Sequence, residues 1–461
     1  MPVLFFLIRD MLLKNMPRWA LWLTLMLLFT ASVGVCHGLL RNDRVYSMVQ
    51  RWVKTYEMER HDGAISVYQV RKPYTRPTNE NMLHFDAEHY QLIKKYLYLP
   101  PCFQCCYAFF PLFPLLWRLT HLGAMGIAVV NWILFGLGML LLLTLFKKVP
   151  RWEYLLPFCM PYLVIFMIPY SEALFFICIS LGMVGFVRGR YWVYFLGFML
   201  GAMTRSAGNI IVVAWVIVDV LNMIYSKGSM KRLLVDITKH LLPVVTGIAA
   251  VLLFQHSHGA EHWFQYVVAQ GAWSKEFSLP VWPFTNWSVE NESVTNPLLF
   301  ILTVPALVWL GTLLFNGLKT KRQEKSELDT MQQLRILSVL FFVGNVLLAL
   351  FTQKGCMYSL SRLLTCTPFF VFLLLDFANS EIKALWKWLI GAFLVLAAVL
   401  CFNLFKNIGC WVVFLLVALV FYHSHMGKAV KFTVCLITIF LNVLWTAYLF
   451  NNFLTGSWIF T

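Results

Sequence analysis

Charged residues are scarce in this sequence. Asp, Glu, Lys and Arg make up 13% of its 461 residues, whereas soluble globular domains hold about 25%. The hydrophobic fraction is 60%, and apolar runs of helix length recur along the chain. Charge this sparse over so long a chain excludes an ordinary soluble domain. It indicates that lipid is the solvent for most of the side chains.

Acidic residues are fewer than basic ones, 21 against 37, which gives a formal net charge of +16. A basic excess is also typical of proteins that bind nucleic acid. Here, however, the basic residues stand in short clusters between apolar runs, which is the pattern of cytoplasmic membrane loops beside anionic lipid. We therefore expect membrane lipids, and no nucleic acid, as partners.

The sequence also lacks the paired motifs of a zinc site. Eleven Cys are present, and most lie inside apolar runs, where a thiol acts as a small hydrophobic side chain. Cys102, Cys105 and Cys106 form a C-x-x-C-C cluster without a second pair, so a disulfide or plain thiols are favoured over zinc. The segment 256–262 contains His and Glu, but its spacing matches no strong metal motif. We predict no metal ion.

Thirteen apolar stretches are candidates for membrane-spanning helices, which need about 20 residues, or fewer where the bilayer thins. They are residues 19–40, 123–146, 152–168, 172–187, 191–204, 208–225, 240–255, 298–317, 335–352, 363–378, 388–405, 409–423 and 432–451. Because several are short, we predict an all-α polytopic membrane protein with about 11 to 13 spans. The aromatic segment 107–122 contains two Pro residues, and we expect it to re-enter the membrane or lie at its surface.

Basic residues set the orientation of these spans. With the N-terminus in the cytoplasm, Lys and Arg concentrate in the loops on that side, including Lys321 and Lys325 of the charged linker 319–330. Asp219 and Asp376 then lie at inner helix ends, and we expect both to be structural.

Two large loops lie on the extracytoplasmic side in this orientation, 41–106 and 256–297. The second contains Trp287 and two glycosylation-type triplets, a pattern that is common by chance. We predict one integral membrane domain over 1–461. No signal cleavage is expected, because the run 19–40 is too long for a signal core.

The first of these loops ends in an unusual polar run, HFDAEHY, at residues 84–90. If this run is helical, Asp86 and Tyr90 share one face. A carboxylate at this place can serve as a general base at the membrane surface, with Glu88 and His89 as catalytic and substrate-binding neighbours. The alternative is an ordinary polar loop.

Three more polar side chains stand on the same predicted side. Glu172 enters an apolar run and needs a partner there, unless it simply sits with Ser171 at a helix N-terminus. Arg205 and Arg362 are each accompanied by a hydroxyl residue, an arrangement that suits a phosphate group. The alternative for both is an Arg that reaches up to the lipid headgroups.

These segments resemble the PIG-V family, the second mannosyltransferases of glycosylphosphatidylinositol assembly, and its bacterial relatives. The likeness lies in FDAEHY at 85–90, FFPLFP at 109–114, PYSE at 169–172 and TRSAGN at 204–209. Phe85 stands where the family has Trp. The likeness covers about 84–210, and beyond that only Ser-Arg at 361–362 matches.

The resemblance implies a GT-C glycosyltransferase that moves a hexose, mannose first, from a polyprenyl- or dolichyl-phosphate donor to a lipid-linked or glycan acceptor. Transfer would invert the anomeric carbon on the extracytoplasmic face, with the lipid-phosphate sugar as substrate and no cofactor. By resemblance Asp86 is the base. Arg205 and Arg362 would stabilise the leaving phosphate, while His89 and Glu172 would contact the substrate.

Two other function classes remain open. A lipid or glycan transporter or flippase is the main rival, but transporters tend to carry internal repeats and broken helices, and neither is clear in this sequence. A non-catalytic assembly subunit would need no acid at position 86. A bacterial plasma membrane is favoured over the endoplasmic reticulum, because the loops are compact and no retention signal is evident.

Overall fold

The computed structural model describes the chain except for residues 1–16, 53–56, 62–63, 69–71, 147–150, 274–276, 280–295, 320–326, 354–358, 381–382, 401–407, 458 and 460–461. Trp287, Lys321 and Lys325 lie outside the described residues, as do both glycosylation-type triplets.

Helices dominate the described ranges. The α-helices are α1 Arg18–Leu39, α2 Asp43–Trp52, α3 Asp86–Tyr96, α4 Leu112–Thr120, α5 Ala124–Leu143, α6 Glu172–Val187, α7 Tyr191–Ala202, α8 Gly208–Ser226, α9 Met230–Ser257, α10 Gln265–Ala269, α11 Asn296–Lys319, α12 Thr330–Thr352, α13 Leu360–Thr365, α14 Pro368–Asn379, α15 Ala384–Leu400, α16 Ile408–Tyr422 and α17 Lys428–Leu454. Strands β1 Glu57–His61 and β2 Ala64–Tyr68 pair as an antiparallel hairpin in the first loop.

Eight of these helices are long and apolar enough to cross a membrane, namely α1, α5, α8, α9, α11, α12, α16 and α17. Four shorter apolar helices, α6, α7, α14 and α15, accompany them. The prediction of an all-α, multi-pass integral membrane protein is confirmed. The β-hairpin between α2 and α3 is a small addition that the sequence did not predict.

The predicted span at 152–168 is wrong. This stretch forms two 3₁₀ segments, Arg151–Cys159 and Leu163–Met167, because Pro157 and Pro161 interrupt any α-helical hydrogen bonding. It is buried inside the protein almost throughout, where irregular backbone is tolerated at membrane depth. Asn442 of α17 satisfies part of that backbone by donating to the carbonyls of Phe158 and Met160, at 2.7 Å each.

The predicted span at 363–378 is an interrupted helix. Its two pieces are α13 and α14, separated by Cys366 and Thr367. Pro368 opens α14 at a position where its missing N–H is no loss, and the Thr367 hydroxyl accepts from the Phe370 backbone N–H at 3.3 Å. The aromatic segment 107–122 likewise holds only the end of a 3₁₀ turn and the nine-residue α4, which is too short to span a bilayer.

Helices α6 and α7 form a tight antiparallel pair. A Cβ atom added at Gly197 would lie 2.3 Å from the backbone nitrogen of Gly182, so the two backbones pack at a distance that only glycine permits. Because α6 begins at Glu172 and α7 returns towards Arg205, this pair brings both charged residues to the same end of the bundle.

Candidate functional site

Four charged side chains from four separate segments meet in one network. Arg362 donates from Nη2 to Asp86 Oδ2 at 2.6 Å and from Nε to Glu172 Oε1. Arg205 donates from Nη1 to the same Glu172 oxygen at 2.5 Å. We call Asp86, Glu172, Arg205 and Arg362 the four-charge cluster. The structure therefore brings together four of the six site residues that the sequence predicted.

Asp86 stands at the start of α3, in the first turn of that helix. The preceding Phe85 has a φ of 55°, a left-handed backbone conformation that is unfavourable for a bulky side chain and is found preferentially at functional sites. Asp86 and Tyr90 share one face as predicted, since Asp86 contacts Arg362 while the Tyr90 hydroxyl lies 2.6 Å from Ser171 Oγ. The Asp86 side chain is 18% exposed, so the cluster is open at this point.

Glu172 is buried at the first position of α6. The Ser171 side chain does not cap this helix; its oxygen instead contacts Tyr90 and accepts from Arg205 Nη1 at 3.4 Å. Among the described residues Glu172 Oε2 makes no hydrogen bond, although it is buried. Buried carboxylate oxygens are costly to leave unpaired, so this acceptor is suited to a donor from a bound molecule.

Both arginines bind carboxylates of the protein itself. Arg362 is buried beneath the ring of Tyr170, whose centroid lies 4.6 Å from the guanidinium carbon, and it binds two carboxylates. Arg205 is 17% exposed. Its described contacts, to Glu172 and Ser171, both use Nη1, which leaves Nε and Nη2 for a ligand. A guanidinium with this free edge can bind a phosphate with two parallel N–H donors.

Glu88 and His89 lie outside the four-charge cluster. Glu88 is 59% exposed and faces His84, with Nδ1 and Oε1 3.9 Å apart. His89 stacks on Phe109 at a centroid distance of 4.8 Å, and burial lowers the pKa of its imidazole, partly offset by Asp86 and Glu88. His89 thus stands against an aromatic wall and, on its Nδ1 side, against Cys105 and Cys106 at 3.9 Å each.

One residue that shapes the site, Asn131, was not predicted from the sequence. Asn131, inside the apolar α5, donates to the carbonyls of Ile168 and Tyr170 at 2.7 and 2.8 Å. It thereby fixes the turn that presents Ser171 and Glu172. The available signal was a lone Asn in a run of apolar residues, since a polar side chain in such a helix needs a partner.

The segment 256–262 does not assemble a metal site within the described part of the chain. The ring of His256 stacks on Trp263 at 4.4 Å, and His258 Nδ1 lies 2.8 Å from the Phe254 carbonyl oxygen. Each imidazole is therefore engaged locally.

The two carboxylates expected to be structural, Asp219 and Asp376, each have a partner inside the protein. Asp376 accepts from Arg335 Nε at 2.5 Å and from Nη2 at 3.0 Å. Asp219 lies 2.8 and 3.1 Å from His240 Nδ1 through its two oxygens. Both carboxylates are buried and engaged through both oxygens, so neither is placed to act on a ligand.

The four-charge cluster offers a carboxylate near the surface, a guanidinium with a free edge and a buried unpaired carboxylate oxygen. Together these can hold an anionic group and accept a proton from a hydroxyl. The chain matches no family model, and comparisons with curated proteins and with solved structures also find no match. The likeness to the PIG-V family therefore rests on the motifs within 84–210, and membership in that family stays a prediction.

Proposed function

We propose that this protein is a membrane glycosyltransferase of the GT-C type, similar to the PIG-V mannosyltransferases. It moves a hexose from a polyprenyl- or dolichyl-phosphate donor to a lipid-linked or glycan acceptor. The reaction takes place on the extracytoplasmic face and inverts the anomeric carbon.

The observation that carries this proposal is the convergence of the four-charge cluster. Asp86 and Arg362 are 276 positions apart, and Glu172 and Arg362 are 190 apart. A buried network of this kind is expensive to desolvate. Its assembly at one end of an apolar bundle is understandable if the charges meet a charged substrate there.

Each member of the cluster has a role in the proposed reaction. Asp86, which is partly exposed, accepts the proton of the acceptor hydroxyl as that oxygen attacks the sugar. Arg205 binds the leaving lipid phosphate through its free edge, where negative charge develops in the transition state. Glu172 orients both arginines through one oxygen and offers the other to a sugar hydroxyl. Arg362 binds both Asp86 and Glu172 and so fixes the two carboxylates relative to each other.

The prenyl chain and the phosphate of the donor need different surroundings, and the apolar helix bundle with a charged cluster at one end provides both. The prenyl chain of the donor lies among the membrane helices, while its phosphate reaches the level of the cluster. The aromatic run that starts at Phe109 stands beside α3, where Phe109 contacts Tyr90 edge to face at 5.1 Å. It forms a wall against which a sugar or prenyl unit can pack.

The test is sugar transfer in liposomes that contain the full-length protein. Mannose and glucose donors on polyprenyl phosphate are supplied with a lipid extract as acceptor, and the lipid-linked glycans are analysed by mass spectrometry. Free polyprenyl phosphate and a hexose-extended lipid are the expected products. If no donor is consumed with any acceptor, the enzyme assignment fails.

A transporter or flippase is the second candidate, and one observation favours it. The segment 151–167 is non-α-helical, and α13 and α14 form an interrupted helix, both features of transporter cores. The liposome experiment separates the two functions, because a flippase moves the lipid-linked sugar between leaflets and leaves its chemical structure unchanged.

A further inference from the structure

One imidazole and two thiols, which are typical zinc ligands, lie close together beside the four-charge cluster. They come from two segments of the chain. His89 lies on α3, and Cys105 and Cys106 lie on the 3₁₀ turn Gln104–Ala108. His89 Nδ1 is 3.9 Å from each sulfur, and the three ligand atoms lie within 4.8 Å of one another. We propose that His89, Cys105 and Cys106 bind a zinc ion that fastens the 3₁₀ turn to α3.

The three ligand atoms are close enough for side-chain rotation to bring them to the spacing of a zinc site. Tetrahedral zinc with Zn–S bonds of about 2.3 Å and Zn–N bonds of about 2.0 Å separates its ligand atoms by roughly 3.5 to 3.8 Å. The two N–S distances of 3.9 Å need to close by a few tenths of an ångström, and the two sulfur atoms, which lie within 4.8 Å of each other, need to approach by up to about 1 Å. Small χ rotations of His89 and the two cysteines supply that closure, because both segments are already in contact.

Cys102 is the candidate for the fourth ligand. It lies three residues before Cys105, in the C-x-x-C-C run. A Cys₃His set is one of the common structural zinc sites. Among the described residues, neither Cys36 nor Cys178 belongs to a comparable group of His, Cys, Asp or Glu side chains, so the arrangement is specific to this turn.

The types of ligand atom determine which metal ion is expected at this site. Thiolate sulfur and imidazole nitrogen favour Zn²⁺ over Mg²⁺, Ca²⁺ and Mn²⁺, which prefer oxygen ligands. Asp86 and Glu88 precede His89 on α3 but make other contacts, since Asp86 contacts Arg362 and Glu88 faces His84. The site is therefore a structural clamp separate from the carboxylates, and it holds the helix that carries Asp86.

This inference does not depend on the proposed function, because its measurement is metal binding. The full-length protein is purified in detergent with a reductant and chelator, supplied with Zn²⁺, freed of excess metal, and analysed for zinc by mass spectrometry. We expect about one zinc per chain. Cys106→Ser and His89→Ala should lose most of it, while Cys178→Ser, which alters another buried thiol, should keep it.

Co²⁺ titration of the wild-type chain keeps the test decisive if a variant fails to fold. A thiolate-to-cobalt charge-transfer band with tetrahedral visible bands supports the site, and Zn²⁺ should then displace Co²⁺ and raise the Tm of the wild type. The proposal is overturned if the reduced wild-type protein retains no zinc and shows no such band. It is also overturned if zinc content is the same in Cys106→Ser and the wild type, or if peptide mapping finds that Cys106 of the protein stays in a disulfide under the reducing conditions used for metal loading.

Discussion

The two ends of the helix bundle hold their buried charges differently. Arg362 and Asp376 lie near opposite ends of the interrupted helix formed by α13 and α14. Around Asp376, Arg335 and the carboxylate form a one-to-one pair with two parallel contacts. Around Arg362, two arginines and two carboxylates form a chain of contacts that is open at Asp86 and at Arg205.

The difference distinguishes a structural ion pair from a site. In the Arg335–Asp376 pair, Nε and Nη2 of the guanidinium bind both carboxylate oxygens, so a ligand would have to displace the carboxylate to use that edge. In the four-charge cluster Arg205 keeps N–H donors, and Glu172 keeps an acceptor that makes no hydrogen bond among the described residues. Unused donors and acceptors held in place by their neighbours are what preorganised binding requires.

The largest effect is expected from Asp86→Asn. The amide keeps the size of the side chain and an oxygen that can accept from Arg362, which also remains paired with Glu172. The fold should therefore survive. Removing the proton-accepting carboxylate should lower sugar transfer in liposomes by about 10²- to 10⁴-fold. Donor binding should change little.

Normal transfer by Asp86→Asn at matched protein levels would remove Asp86 as the base. If the variant instead fails to insert or elutes as aggregate, Asp86→Glu serves as the second variant. It retains the charge but moves it by one methylene, and partial activity is then expected.

Arg205→Ala is expected to have the next largest effect. Glu172 keeps Arg362 as a counter-charge, so the loss falls on ligand contacts more than on folding. Transfer should fall by about 10²-fold or more, because a guanidinium that stabilises the leaving phosphate is gone. Arg205→Lys should recover only part of the lost transfer rate, since an ammonium cannot bind a phosphate with two parallel donors.

The measurement for this pair of variants is transfer as a function of donor concentration. Full activity in Arg205→Ala would mean that the side chain has no role beyond pairing with Glu172. Recovery to the wild-type rate in Arg205→Lys would mean that only the charge matters.

A substitution at the opposite end of the bundle should lower the stability of the protein and leave its activity unchanged. Arg335→Met retains the aliphatic stem but leaves Asp376 buried without its cation. Breaking a buried pair costs about 3–5 kcal/mol, and because Arg335 is 28% exposed we expect the lower end of that range. Tm in detergent should fall, while transfer per folded molecule stays near the wild-type level.

The double variant Arg335→Met with Asp376→Leu should regain most of the lost Tm, because no uncompensated charge then remains. A loss of transfer in folded Arg335→Met would contradict the division of the molecule into a structural end and a functional end.

Hydropathy predicted most of the membrane helices, because a bilayer demands long apolar runs whatever their neighbours are. It failed at 152–168, since an apolar run buried in protein and one facing lipid have the same composition. The basic loops predicted that Asp86 and Arg362 lie on one side of the membrane, but they did not predict the contact between the two, because no local pattern encodes a pair 276 residues apart. The approach of His89 to the C-x-x-C-C turn was missed for the same reason.

The smallest effect is expected from Glu88→Gln, which is also the matched control for Asp86→Asn. Both changes replace a carboxylate by its amide in the first turn of α3, and they differ in where the side chain points. Glu88 is 59% exposed and its contact with His84 is long, at 3.9 Å, so such a pair contributes little in water. Transfer should fall by less than about threefold, because an exposed charge outside the cluster neither accepts the acceptor proton nor orients an arginine. If Glu88→Gln abolishes transfer while Asp86→Asn does not, the base is Glu88, and the ion pair of Asp86 with Arg362 is structural like that of Asp376.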